Sequence, residues 1–236
     1  MINTNLIKFS IRYFFVNRRN LYTYIALGIL LLVSYFFILF VLHDTNDNIP
    51  RPFHVITYNL DYYYRWVYWF LVPFVLITSL LGNLQSISIY IQIRINNPKQ
   101  LLFLYIIQLS IIAFWGTLLI GIITFACFPL ASKTITANDV LNISFLLIFC
   151  FLNLINIGLL VTILAKKFSR EASFIIVFLL TLCDQYVLGH FLFSSTKLLY
   201  RPGFSLFGTS FALLENILLL IGLLLVLTDV IRRKEE

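Results

Sequence analysis

Charge is scarce in this chain. Of its 236 residues only 11% are Asp, Glu, Lys or Arg, whereas a soluble domain needs about a quarter of its residues charged to cover its surface. That shortage excludes an ordinary water-soluble globule. Nucleotide and metal chemistry are missing as well. There is no G-x-x-x-x-G-K-[ST] loop to cradle phosphates, no H-E-x-x-H, no Glu-Glu pair of an intramembrane metalloprotease and no G-x-S-x-G elbow. The three histidines, His43, His54 and His190, are scattered without a ligand at metal spacing. Three cysteines, Cys127, Cys150 and Cys183, lie singly inside apolar runs, so they are expected to be small buried residues rather than a disulfide or redox pair. No repeat of twenty to fifty residues, low-complexity tract or linker divides the chain. The expectation is one domain over 1–236, without cofactor, metal or catalytic residue of its own.

What is present is apolar side chain: 61% of the residues are hydrophobic, 17% are aromatic, and the mean hydropathy is +0.95. With runs of twenty residues and more, this means that lipid is the solvent. Six runs have about the length of a bilayer-crossing helix: Leu21–Val41, Trp66–Ile89, Leu101–Pro129, Ile143–Ala165, Ser173–Phe193 and Phe211–Leu227. The first is longer than a signal-peptide core and ends in "HDTNDN" without a small-x-small cleavage site, so it is expected to remain in the mature protein.

The net charge of +7 then becomes a question of sidedness, not of nucleic acid, which is not expected as a partner. Twelve of the 17 cations fall in one set of loops: Lys8, Arg12, Arg18, Arg19, Arg94, Lys99, Lys166, Lys167, Arg170, Arg232, Arg233 and Lys234. Arg51, Arg65, Lys133, Lys197 and Arg201 fall in the other. The richer side is predicted to be cytoplasmic, which puts both termini inside. On the outer side, Tyr62, Tyr63, Tyr64, Trp66, Tyr68 and Trp69 suit an aromatic belt at the membrane interface. The opening stretch "NLIKFSIRYFFVNRRN" is too short and too charged to span. It reads as an amphipathic helix over 1–20, lying on the inner surface with its cations toward anionic headgroups.

Two acids fall at or near membrane depth: Asp184 in "TLCDQYVLGH" and Glu215 in "FALLENILLL". A carboxylate there is costly and is a translocation or structural candidate by default. Asp184 is expected to pair with Lys197 or Arg201, which share a helix face if their loop is helical. Between the fifth and sixth runs, residues 190–210 are apolar but broken at Arg201-Pro202-Gly203, which predicts a re-entrant or interfacial hairpin.

One stretch decides the functional expectation. "RINNPKQ" (94–100) surfaces between uncharged runs at 67–93 and 101–131. Before it, Ile87, Tyr90, Ile91 and Arg94 recur at helical spacing with Gln85, Ser88 and Gln92 between them, as in a helix that leaves the bilayer and meets protein. Pro98 is placed to start the next helix, where its missing N–H costs nothing. An ordinary hairpin with topogenic cations remains the alternative. In order, the interfacial helix, the six runs, the cationic Pro-containing turn of "NNPKQLLFLY" and the broken hairpin resemble the permease subunit of ABC-2-type transporters over the whole chain. That resemblance implies that 85–100 is a coupling segment, with Tyr90, Ile91, Arg94, Pro98 and Lys99 docking onto a separate cytoplasmic ATPase. It implies a second permease copy or a paralogous permease as partner, membrane lipids around both, a bacterial plasma-membrane location, and export of a peptide, bacteriocin or other amphiphile. Two other classes stay open: a non-transporting immunity or interaction protein, and an ion-coupled secondary carrier.

Overall fold

The computed structural model describes residues 8, 12, 18–43, 98–131, 137–186 and 206–232. Five helices account for nearly all of them: α1 (Arg18–His43), α2 (Pro98–Ala131), α3 (Ala137–Leu164), α4 (Arg170–Tyr186) and α5 (Leu206–Arg232). No strand occurs among the described residues. Lys8 and Arg12 are helical and exposed. Helix is the form that an apolar run must take in hydrocarbon, where every backbone N–H and C=O has to be satisfied within the segment.

The helix starts follow from local chemistry. Pro98 is the first residue of α2, as predicted. α4 is preceded by Ser169, whose hydroxyl accepts a hydrogen bond from the Ala172 N–H at 3.2 Å, an N-cap that satisfies one of the donors left over at a helix start. Between α3 and α4 the chain tightens before it turns. The N–H groups of Lys167 and Phe168 both donate to the Leu164 carbonyl, at 2.9 and 2.8 Å, so the end of α3 spends few unpaired carbonyls on the turn.

Three helices carry stretches long and apolar enough to cross a membrane: Lys99–Ile123 in α2, Leu147–Leu164 in α3 and Leu213–Ile231 in α5. They correspond to the third, fourth and sixth predicted runs. The first and fifth runs fall in α1 and α4, whose described apolar stretches, Leu21–Val33 and Glu171–Thr181, are shorter. α4 as described has 17 residues, a rise of about 25 Å at 1.5 Å per residue, short of a bilayer core of about 30 Å. The second run, Trp66–Ile89, lies outside the described residues, as does the 190–205 part of the predicted hairpin. Among the described residues the structure thus supports three spans where the sequence predicts six.

α3 is the centre of the bundle. α5, α2 and α4 pack on it, α1 packs on α2, and α5 also reaches α2. Individual contacts set the directions. Tyr24 donates to the Ile112 carbonyl at 3.3 Å, and Gly28 lies opposite Leu119. Both positions advance together, so α1 and α2 run parallel. Lys166 meets Tyr105, and Gly121 lies opposite Leu147. These positions advance in opposite senses, so α2 and α3 are antiparallel. The starts of α1, α2 and α4 and the end of α3 therefore share one end of the bundle.

Unlike a soluble protein, this bundle exposes many large apolar side chains and buries several polar ones within its apolar core. Gln108, Asn156, Thr162, Ser173, Thr181 and Asn216 are buried. Phe114, Leu118, Ile122 and Phe125 form an exposed stripe along α2, and Ile175, Leu179 and Leu180 are exposed on α4. In α4 the inward positions Ser173, Val177 and Thr181 recur every fourth residue. Both buried hydroxyls donate to carbonyls of their own helix: Ser173 to Ser169 at 2.8 Å, and Thr181 to Phe178 at 2.7 Å. Polar groups turned inward and large apolar groups turned outward are stable only where the surroundings are themselves apolar. Cys150 is buried between helices as expected, whereas Cys183 is exposed on α4, contrary to the expectation for all three cysteines. An apolar solvent removes the pressure to bury a thiol.

Candidate functional site

Two groups of polar side chains stand out from this background. The first is the cationic end. α1 opens with Arg18-Arg19, α2 with Pro98-Lys99, the α3–α4 turn contains Lys166-Lys167, and α4 opens at Arg170. The helix directions gather these positions at one end. The first turns of α1 and α2 contain no acid. Cations at a helix N-terminus oppose the macrodipole, which favours negative charge there. For the cations at the starts of α1, α2 and α4 the placement is therefore unfavourable to the helices themselves and has to be explained by something outside them, whereas Lys166 and Lys167 follow the C-terminus of α3, where cations are favoured. The sidedness of charge at a membrane supplies that explanation.

Within this end, one contact is well defined. The Lys166 ammonium donates to the Tyr105 hydroxyl at 3.2 Å and lies 5.1 Å from the centre of the Tyr105 ring. Tyr105 is itself buried. The start of α2 is thereby tied to the α3–α4 turn. Of the predicted coupling residues, Pro98 begins α2, and Lys99 is exposed in its first turn. Tyr90, Ile91 and Arg94 lie outside the described residues.

The second group is a polar seam between α3 and α5. Asn156, fully buried near the middle of the α3 span, donates through Nδ2 to the main-chain carbonyl of Asn216 at 3.3 Å. Asn216 is also buried, and its neighbour Glu215 is half-buried. Asn153 lies one turn from Asn156 on α3. The Oδ1 atoms of Asn153 and Asn156 find no hydrogen-bond partner among the described residues. Of the two predicted acids, Glu215 thus adjoins this seam. Asp184 falls in the last turn of α4, and its side chain lies outside the described set, as does the 187–193 remainder of the predicted fifth run. Lys197 and Arg201, its predicted partners, lie outside it too. The sequence reading missed Asn153 and Asn156. Their signal was present: two amides, three residues apart, in an 18-residue run without charge. Among the described residues no group of His, Cys, Asp or Glu is placed to hold a metal ion.

Comparison with known protein families, with curated proteins and with solved structures finds no match to this chain. The class is defined by the molecule's own features. Three long apolar helices among the described residues, with large apolar side chains exposed along them, are the features of a helical membrane protein.

Proposed function

We propose that this chain is the permease subunit of a bacterial ABC exporter, moving a peptide or other amphiphile with ATP hydrolysed on a separate subunit. The observation that carries this reading is the parallel course of α1 and α2, with Pro98 as the first residue of α2. Parallel neighbours start on the same side, and on this reading the connection between them returns across the membrane as the second span before "RINNPKQ" enters α2. That is the order required by a second span followed by a cytoplasmic coupling segment at 85–100. The reading includes six spans, an interfacial helix over 1–20, an outer hairpin at 190–210, and both termini in the cytoplasm of a plasma-membrane protein. Tyr90, Ile91 and Arg94 would meet the ATPase, with Pro98 as the stiff joint to α2 and Lys99 at the rim. A second permease, identical or paralogous, completes the path.

The test is co-purification with an ATPase encoded beside the chain, followed by ATP hydrolysis in proteoliposomes. Replacing Tyr90, Ile91 and Arg94 together by alanine is expected to abolish association, because one buried apolar anchor is commonly worth about 2 kcal/mol. Lys99→Ala is expected to cost less, as rim charges do. A folded triple variant that still binds and stimulates the ATPase would reduce 85–100 to a topogenic loop. The buried amides beside Glu215 favour a second reading, an ion-coupled carrier. Substrate flux in vesicles driven by an ion gradient without ATP would select it.

A further inference from the structure

The α3–α4 turn has no place in the transport reading, yet it is the most specifically built part of the cationic end. Lys166 is held by the Tyr105 hydroxyl and ring, which orients its ammonium and occupies one of its three donors. Lys167, next in sequence, is exposed, and so is Phe168, at 51% of its surface. Neither lysine pairs with a carboxylate among the described residues. Glu171 is the nearest acid in sequence, and it is exposed in the first turn of α4. Two lysines consecutive in sequence, without acidic partners among the described residues and one of them oriented by a buried phenol, offer donors to a doubly accepting anion such as a phosphate diester.

The surroundings decide which anion. Beyond the turn, α4 exposes Ile175 and Leu179, apolar side chains suited to the acyl chains that accompany a lipid headgroup. Phe168 is an aromatic side chain at the boundary, where such rings settle among headgroups. An acidic protein surface would meet the two charges but would leave Phe168 and the adjoining apolar face uncovered. We propose that Lys166, Lys167 and Phe168 form a binding site for the phosphate headgroup of an anionic phospholipid, with Tyr105 as the residue that positions Lys166.

This inference depends on the membrane setting and not on the transport reading, so its test uses no ATPase. The purified full chain is placed in phosphatidylcholine nanodiscs with or without phosphatidylglycerol. Bound phosphatidylglycerol is counted by native mass spectrometry, and the thermal midpoint is followed in parallel. Phosphatidylglycerol is expected to be retained and to raise the midpoint. A headgroup attraction of about 1 kcal/mol per basic residue corresponds to roughly fivefold in affinity for each. Lys166→Gln with Lys167→Gln should therefore lose about 25-fold, and the corresponding double arginine variant should retain most of the affinity. Tyr105→Phe should lose a smaller factor, about two- to fivefold, because the ring remains while the positioning hydroxyl is gone. It also serves if the glutamine pair fails to fold. Equal retention by wild type and the glutamine pair, or by wild type and Tyr105→Phe where the pair does not fold, overturns the proposal. So does equal stabilisation by inorganic phosphate in phosphatidylcholine alone, which would make the ligand a free anion.

Discussion

α3 and α5 differ by one residue in length, 28 against 27, and both carry a run apolar enough to span. Their surroundings are unlike. Just over half of the α3 span, 56%, is buried in the bundle, whereas for α5 the share is 17%. Composition does not explain the contrast, since leucine and isoleucine dominate both. In water, apolar side chains would have forced both helices inward. In lipid they are equally at ease on either side, and the hydrophobic effect no longer chooses a face. The choice falls to shape and to polar groups. α3 turns Asn156 and Phe149 inward, and α5 meets it with Asn216 while leaving Leu218, Leu225 and Val226 outside.

The contrast can be broken most sharply by truncation. Phe149 has no exposed surface, so Phe149→Ala should cost about 3–5 kcal/mol by leaving a cavity that the neighbours fill only in part. Leu225, 67% exposed on α5, should lose less than about 0.5 kcal/mol on the same change. Reversible unfolding in mixed micelles measures both. Similar losses at the two sites would mean that the outer face of α5 packs against protein rather than lipid.

Glycines give a finer test. A Cβ on Gly121 would lie 3.1 Å from a Leu147 methyl across the α2–α3 contact, whereas one on Gly222 would meet nothing within 4 Å. Gly121→Leu should therefore overpack and destabilise by about 1–3 kcal/mol. Gly222→Ala should be neutral or should stabilise by about 0.5–1 kcal/mol, as expected for a helix interior relieved of a glycine. A destabilising Gly222→Ala would show that another helix approaches α5 at that point.

The smallest effect concerns the seam. Removing an interhelical hydrogen bond in a membrane costs about 1 kcal/mol, so Asn156→Leu should lower stability by that order. Asn153→Leu, which removes an acceptor with no described partner, should cost less or nothing. If both are neutral, the Asn156–Asn216 bond does not set how α3 meets α5.

How much of this was legible from residues alone varies with the element. Pro98 as a helix start and the gathering of Arg18, Arg19, Lys99, Lys166, Lys167 and Arg170 at one end were readable, because each depends on a property of single residues: a ring that lacks a donor, or a charge that hydrocarbon will not accept. The apolar runs that became α2, α3 and α5 were readable for the same reason. Cys183 was misread as buried because the expectation borrowed a rule made for water.

By itself, then, the sequence determined that this protein lies in lipid, roughly which segments are helices, and which ends carry the cations. Those outcomes follow from transfer costs that act residue by residue. Only the tertiary structure decided that α1 runs parallel to α2, that α3 is the centre, that Lys166 finds Tyr105 and that Asn156 finds the Asn216 carbonyl. Where the solvent is as apolar as the side chains, periodicity barely distinguishes inside from outside. Close steric fit and a few polar contacts between helices far apart in sequence make that distinction instead.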